Sequence, residues 1–148
     1  MINRRHALML GAGAAALGLV GLPTVGWAEG DADAMIKEFT GGAEPQAGKV
    51  SLDAPEIAEN GNTVPISVSV DSAMSGDDQV EAVMLLAEGN PNPGVATFKF
   101  SPMSGSANAS VRIRLAKTQR VIAVAKMKDG SAFMDAKTVK VTIGGCGG

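Results

Sequence analysis

Thr63-Val64-Pro65-Ile66-Ser67-Val68-Ser69-Val70-Asp71 sets Val64, Ile66, Val68 and Val70 at alternate positions, with Ser67 and Ser69 between them. Side chains of a strand point to opposite faces in turn, so this alternation predicts a half-buried strand. Two later segments repeat the pattern. Val111, Ile113 and Leu115 alternate with Arg112 and Arg114, and a last strand over 138–143 turns Val139, Val141 and Ile143 inward and Lys140 and Thr142 outward. The stretch 120–128 sets Val121 and Ala123 or Val124 against polar partners and ends at Lys128-Asp129-Gly130-Ser131, a hairpin signal.

Working outward, Val50 to Asp53 predicts an earlier strand, followed by Ala54-Pro55-Glu56-Ile57-Ala58-Glu59 and the turn Asn60-Gly61-Asn62. The apolar run Val80 to Ala87 is ambiguous, because Asp78 and Glu81 would form a capping box if it were helical. Its shortness and its close at Gly89-Asn90-Pro91-Asn92-Pro93-Gly94 favour a buried strand, with Val95 to Ser101 as its neighbour and Phe98 and Phe100 on one side. One helix is expected over 31–39, with Ala34, Met35, Ile36 and Phe39 as its apolar face and Gly41-Gly42 as its stop. About seven short strands with this spacing describe an all-β antiparallel sandwich.

The two ends of the chain carry different messages. Arg4-Arg5 precede an apolar run from Ala7 to Leu22, then Pro23 and Gly26-Trp27-Ala28, the layout of an export signal cut after Ala28. The run is too short and too glycine-rich for the roughly 20 apolar residues of a membrane span. The paired arginines look like a twin-arginine leader, although Asn3 and Ala7 replace its usual hydroxyl residue and phenylalanine. A periplasmic location follows as the expectation. At the other end, Gly144-Gly145-Cys146-Gly147-Gly148 holds the only cysteine of the chain between paired glycines. Glycine has no side chain and a permissive backbone, so residues 144–148 are expected to form a flexible arm that offers one thiol to other molecules. The expected division is an export signal over 1–28, a β-sandwich over 29–143 and this arm.

Cleavage after Ala28 removes Arg4 and Arg5 and none of the 15 acidic residues, leaving a net charge of −4, unsuited to nucleic acid or an anionic membrane. The only histidine, His6, leaves with the signal, which excludes Ser-His-Asp and Cys-His catalysis and histidine-ligated zinc. Asp77-Asp78 and Glu56/Glu59 are acid pairs of the kind that solvent usually covers, and Asp31-Ala32-Asp33 lacks the glycine and distal glutamate of a calcium loop. Gly11-Ala12-Gly13 lies in the signal and follows no strand, and Asn108-Ala109-Ser110 is a chance match to a glycosylation acceptor behind a bacterial-type leader. No metal or cofactor is expected. Arg112 and Arg114 read as a solvated sheet face, or as a docking point for a partner's acidic surface.

The ending Val141-Thr142-Ile143-Gly144-Gly145-Cys146-Gly147-Gly148 resembles that of the SoxY family of the bacterial thiosulfate-oxidising Sox system. Ala54-Pro55-Glu56-Ile57-Ala58-Glu59-Asn60-Gly61, Val64-Pro65, Asn90-Pro91-Asn92-Pro93 and Arg112-Ile113-Arg114-Leu115-Ala116 fit the same family, as does the leader. The resemblance implies an immunoglobulin-like sandwich and a non-enzymatic sulfur carrier with its intermediates held on Cys146. It also implies a heterodimer with a SoxZ-like β subunit and transient contacts with the cytochrome SoxAX, the sulfohydrolase SoxB and, where present, the sulfane dehydrogenase SoxCD. Two other functions fit the residues alone. One is an exported interaction module that uses Cys146 for an intermolecular disulfide. The other is a periplasmic copper or redox sandwich using the methionines after Ala28 (Met35, Met74, Met84, Met103, Met127 and Met134), which in a scattered pattern more commonly fill core gaps.

Overall fold

The computed structural model describes residues 29–143, which run as one α-helix followed by nine strands, with a 3-10 turn at Pro102–Ser104 between the sixth and seventh. Helix α1 spans Glu29–Thr40 and stops as expected at two left-handed glycines, Gly41 (φ 67) and Gly42 (φ 92). The Gly42 N–H donates to the Lys37 carbonyl at 2.9 Å and the Gly41 N–H to that of Glu38 at 3.3 Å, which satisfies carbonyls the helix end would leave bare. The inner face differs from expectation at one position. Ala32 and Ile36 are buried with Met35 and Phe39 partly covered, whereas Ala34 faces solvent.

The strands are β1 (Gln46–Ala47), β2 (Val50–Asp53), β3 (Ile57–Ala58), β4 (Val64–Val70), β5 (Val80–Ala87), β6 (Gly94–Lys99), β7 (Ala107–Ile113), β8 (Gln119–Met127) and β9 (Ala132–Val141). One sheet has the order β1-β9-β8-β5-β6, with β3 also paired to β9, and the other is β2-β4-β7. All long ladders are antiparallel; β1 and β3 add two-residue parallel pairs at the two ends of β9. The sheets face each other over Leu52, Ile66, Leu85, Leu115, Val121 and their neighbours. Along one side they are tied by the Leu52 N–H, which donates to the Asp135 carboxylate at 2.9 Å.

Three strands depart from their expected form for identifiable reasons. Strand β8 is buried on both faces instead of alternating with polar residues. Val121, Ala123, Ala125 and Met127 enter the sandwich, while Ile122 and Val124 lie beneath α1 with Met84, Leu86 and Ile36. The helix thus acts as a lid on the outer face of the sheet, and β5 is apolar on both sides for the same cause. Strand β7 begins at Ala107, where Ala107-Asn108-Ala109-Ser110 carries too little hydrophobic contrast to show a period. Strand β9 runs Ala132–Val141 rather than 138–143, and Ile143 is 68% exposed rather than inward. The hairpin at Lys128–Ser131 forms, with Gly130 at φ 90 and the Met127 N–H bonded to the Ser131 carbonyl at 2.9 Å. Asp78 caps no helix: its carboxylate accepts the Ala73 N–H at 2.9 Å and pairs with Lys49 at 2.8 Å.

Candidate functional site

The segment that leads to Cys146 is gripped on both sides up to the last described residue. On one side the Lys140 N–H donates to the Glu56 carbonyl at 2.9 Å and the Thr142 N–H to that of Ala58 at 3.1 Å. The Thr142 hydroxyl reaches the Glu59 carbonyl at 3.1 Å. On the other side the backbone of β8 has turned away, and the Thr118 side chain takes its place: its Oγ1 accepts the Val141 N–H at 2.9 Å. The Gly61 N–H then donates to the Ile143 carbonyl at 2.8 Å. Glu56 and Glu59 therefore contribute through backbone carbonyls, and their carboxylates stand in solvent.

A buried polar cluster supports this grip from below. The Gly61 carbonyl accepts the Leu115 N–H at 2.8 Å, which joins the 60–62 turn to the chain just past the end of β7. That stretch is held by Asn90, only 5% exposed, whose Nδ2 donates to the Arg114 carbonyl at 2.7 Å and whose Oδ1 accepts the Ala116 N–H at 2.9 Å. Gln119 completes the cluster through Nε2 to Asn90 Oδ1 (2.9 Å) and to the Lys117 carbonyl (3.0 Å), while its Oε1 accepts the Gly89 N–H at 2.8 Å. Among the described residues no buried side-chain N or O lacks a partner. The 54–61, 90–93 and 112–116 segments, far apart in the chain, thus form one hydrogen-bonded support beneath the C-terminal segment.

Sequence reasoning missed Thr118, Asn90 and Gln119 as anchors. An asparagine in a Pro-rich loop reads as a turn residue, and only its burial exposes the second task. Cys146, the glycines Gly144, Gly145, Gly147 and Gly148, and the leader arginines Arg4 and Arg5 lie outside the described residues. The methionines are spread out. Met74 and Met127 sit in the sandwich, Met35, Met84 and Met134 lie on the helix-covered face, and Met103 is 96% exposed. Met35 packs over Gly94 of β6, whereas Met134 belongs to β9, three strands away across the sheet. At about 4.8 Å per strand these sulfurs fill separate gaps. Among the described residues no three His, Cys, Asp or Glu side chains are grouped to hold a metal ion, and no helix is long and apolar enough to cross a membrane.

Fold and site together define a class: a two-sheet β domain whose clamped final strand continues into a tail with a single cysteine. The family profile described as "Sulfur oxidation protein SoxY" matches residues 36–146, and the match runs through Cys146. The chain belongs to the SoxY family. Among solved structures it is similar to the sulfur carrier protein SoxY from Chlorobium limicola f thiosulfatophilum, with a TM-score of 0.64 and 29% identity, covering 77% of this chain and 98% of that one. Superoxide reductase (neelaredoxin) from Ignicoccus hospitalis shares the fold at a TM-score of 0.54 and 20% identity, covering 64% of this chain and 80% of that one. A point variant of that reductase gives 0.56 and 20%, covering 74% and 86%. No curated protein sequence matches significantly.

Proposed function

We propose that this chain is a periplasmic sulfur carrier, exported on a twin-arginine-type signal, that holds thiosulfate-derived sulfur on Cys146 and catalyses nothing itself. The observation that carries this reading is the family match, which spans the domain and reaches the sole cysteine. The Cys146 thiolate and the sulfane end of thiosulfate join in a disulfide-type bond as an electron pair passes to a c-type cytochrome, SoxAX in the family. Water then cleaves the outer sulfonate as sulfate on SoxB, leaving a persulfide. Where SoxCD is present, six electrons pass to it from the outer sulfur while three water oxygens are added, giving a sulfonate, and a second hydrolysis releases sulfate and restores the thiol. A SoxZ-like β subunit is the stable partner.

The grip on Val141, Thr142 and Ile143 supports this role by setting where the tail starts. Cys146 is the third residue after Ile143, a reach of at most ~11 Å at about 3.3–3.6 Å per residue. Each enzyme must therefore bring its reacting group close to this end of the sandwich. The tail holds no histidine or lysine to lower the thiol pKa, so activation falls to the enzyme. The test is intact mass of the protein from thiosulfate-grown cells beside Cys146→Ser. Adducts of thiosulfate or sulfane mass on the native chain and none on the variant are expected. Full thiosulfate oxidation by cells carrying Cys146→Ser overturns the reading.

A further inference from the structure

Strand β7 ends the three-stranded sheet, and among the described residues nothing pairs with its outer edge. The Asp71 N–H donates to the Lys49 carbonyl at 2.7 Å, so odd-numbered residues of β4 turn their backbone groups to β2 and even-numbered ones to β7. In the register Ile66↔Val111 and Val68↔Ala109, β7 then spends its odd-numbered residues on that ladder. The N–H and C=O groups of Asn108, Ser110 and Arg112 point outward. Edges of this kind are normally blunted by proline, a bulge or charged side chains; along its seven residues β7 has no proline and no bulge, and its one charge is the exposed Arg112. Beside it the sandwich is open. No hydrogen bond joins β6 to β7 among the described residues, and Phe98, Phe100 and Val111 pack only partly covered at the margin of the core. Arg112 and the following Arg114 are exposed and form no ion pair among the described residues, in a chain whose net charge is −2.

We propose that the free edge of β7 receives the edge strand of a second, different β domain. That strand alternates apolar residues over Val111 and Phe98 with an acidic residue set against Arg112. A second copy of this chain fits poorly, because its β7 brings no carboxylate to the arginines. Strand addition supplies backbone hydrogen bonds and the side-chain alternation supplies selectivity. The identity of the partner rests on the function proposed above, with the SoxZ-like subunit as probe; the edge itself does not. The test is amide hydrogen exchange on the native chain, free and mixed with that subunit, together with the affinities of Ser110→Pro and Arg112→Glu. Slowed exchange at Asn108, Ser110 and Arg112 is expected in the complex, with affinity falling about tenfold or more in each variant and least at high salt for Arg112→Glu. Ser110→Pro removes an N–H that the β4 ladder does not use, and circular dichroism checks that it folds. A complex that leaves these amides unprotected overturns the edge assignment while sparing the pairing. No complex at all overturns both, and a homodimer protected along β7 overturns the choice of partner.

Discussion

Asn90 and Gln119 hold four backbone groups of the β7–β8 connection and of the 88–93 loop, namely the Arg114 and Lys117 carbonyls and the Ala116 and Gly89 N–H groups. Asn90→Ala leaves the first and third of these without a partner in a buried place and takes from the Gln119 amide one of its two acceptors, the Lys117 carbonyl remaining. A loss of about 2–3 kcal/mol is expected from unsatisfied buried groups, measured by urea unfolding. Cys146→Ser belongs to the same scale with the opposite outcome: the unfolding curve is unchanged while thiol titration falls to zero. An exposed ion pair ties the chain at the other end of the sandwich. The Ala73 N–H and then the Lys49 ammonium hold Asp78 below its usual 3.8, and the bond to Asp78 raises Lys49 above 10.5. Asp78 therefore contributes fully above the unfolded carboxylate value and loses its contribution as pH falls through the lower folded one. Lys49 does so below its unfolded value and loses it as pH rises through the raised one. In Asp78→Asn the acid limb of the stability profile, between about pH 5 and 2, becomes shallower. An unaltered limb in a pH series of urea curves would refute this.

At the scale of elements, the last turn of chain before the tail depends on a borrowed side chain. Thr118→Val removes the acceptor of the Val141 N–H while keeping shape and volume. Exchange at Val141 should quicken by tenfold or so, with about 1 kcal/mol or less lost overall, as suits one exposed neutral hydrogen bond. If the clamp directs the tail to the enzymes, the same variant processes sulfur more slowly although its thiol reacts normally with small disulfides. Gly145→Leu should split in the same way, because a bulky residue beside Cys146 obstructs a narrow channel without changing the thiol. Equal slowing of both reactions would point instead to a damaged sulfur atom environment. The helix is the other element with a separable task, since α1 packs over Met84, Leu86, Ile122 and Val124 through Met35, Ile36 and Phe39.

For the whole molecule these surfaces make stability a two-layer property. Leu85, fully buried between the sheets, should cost about 2–5 kcal/mol when changed to Ala. A chain that starts at Gly41 keeps both sheets but bares the face under α1, so it should bind hydrophobic dyes and precipitate while retaining β circular dichroism. Dye binding equal to that of the chain starting at Glu29 would show that the helix is no lid.

The strands that alternate cleanly were legible because their pattern is local. Val64 to Val70 meets one core face and one water face, and Gly41, Gly130 and Asn60-Gly61 mark turns through backbone preferences that need no tertiary partner. The tail and the family segments were legible from residue identity alone. The double burial of β8 was not, because Ile122 and Val124 are covered by a helix about ninety residues earlier in the chain. The start of β9 at Ala132 and of β7 at Ala107 was set by pairing with β8 and β4, against weak local contrast. Nor could sequence show that Asn90, Gly61 and Thr118 serve one task, since hydrogen bonds between distant segments have no period along the chain. The sequence by itself determined the all-β class with most of its strands, the lone thiol and the family; the tertiary structure alone decided the short strands β1 and β3 and which residues hold the segment before the tail, because burial and long-range pairing exist only once the sheets have met.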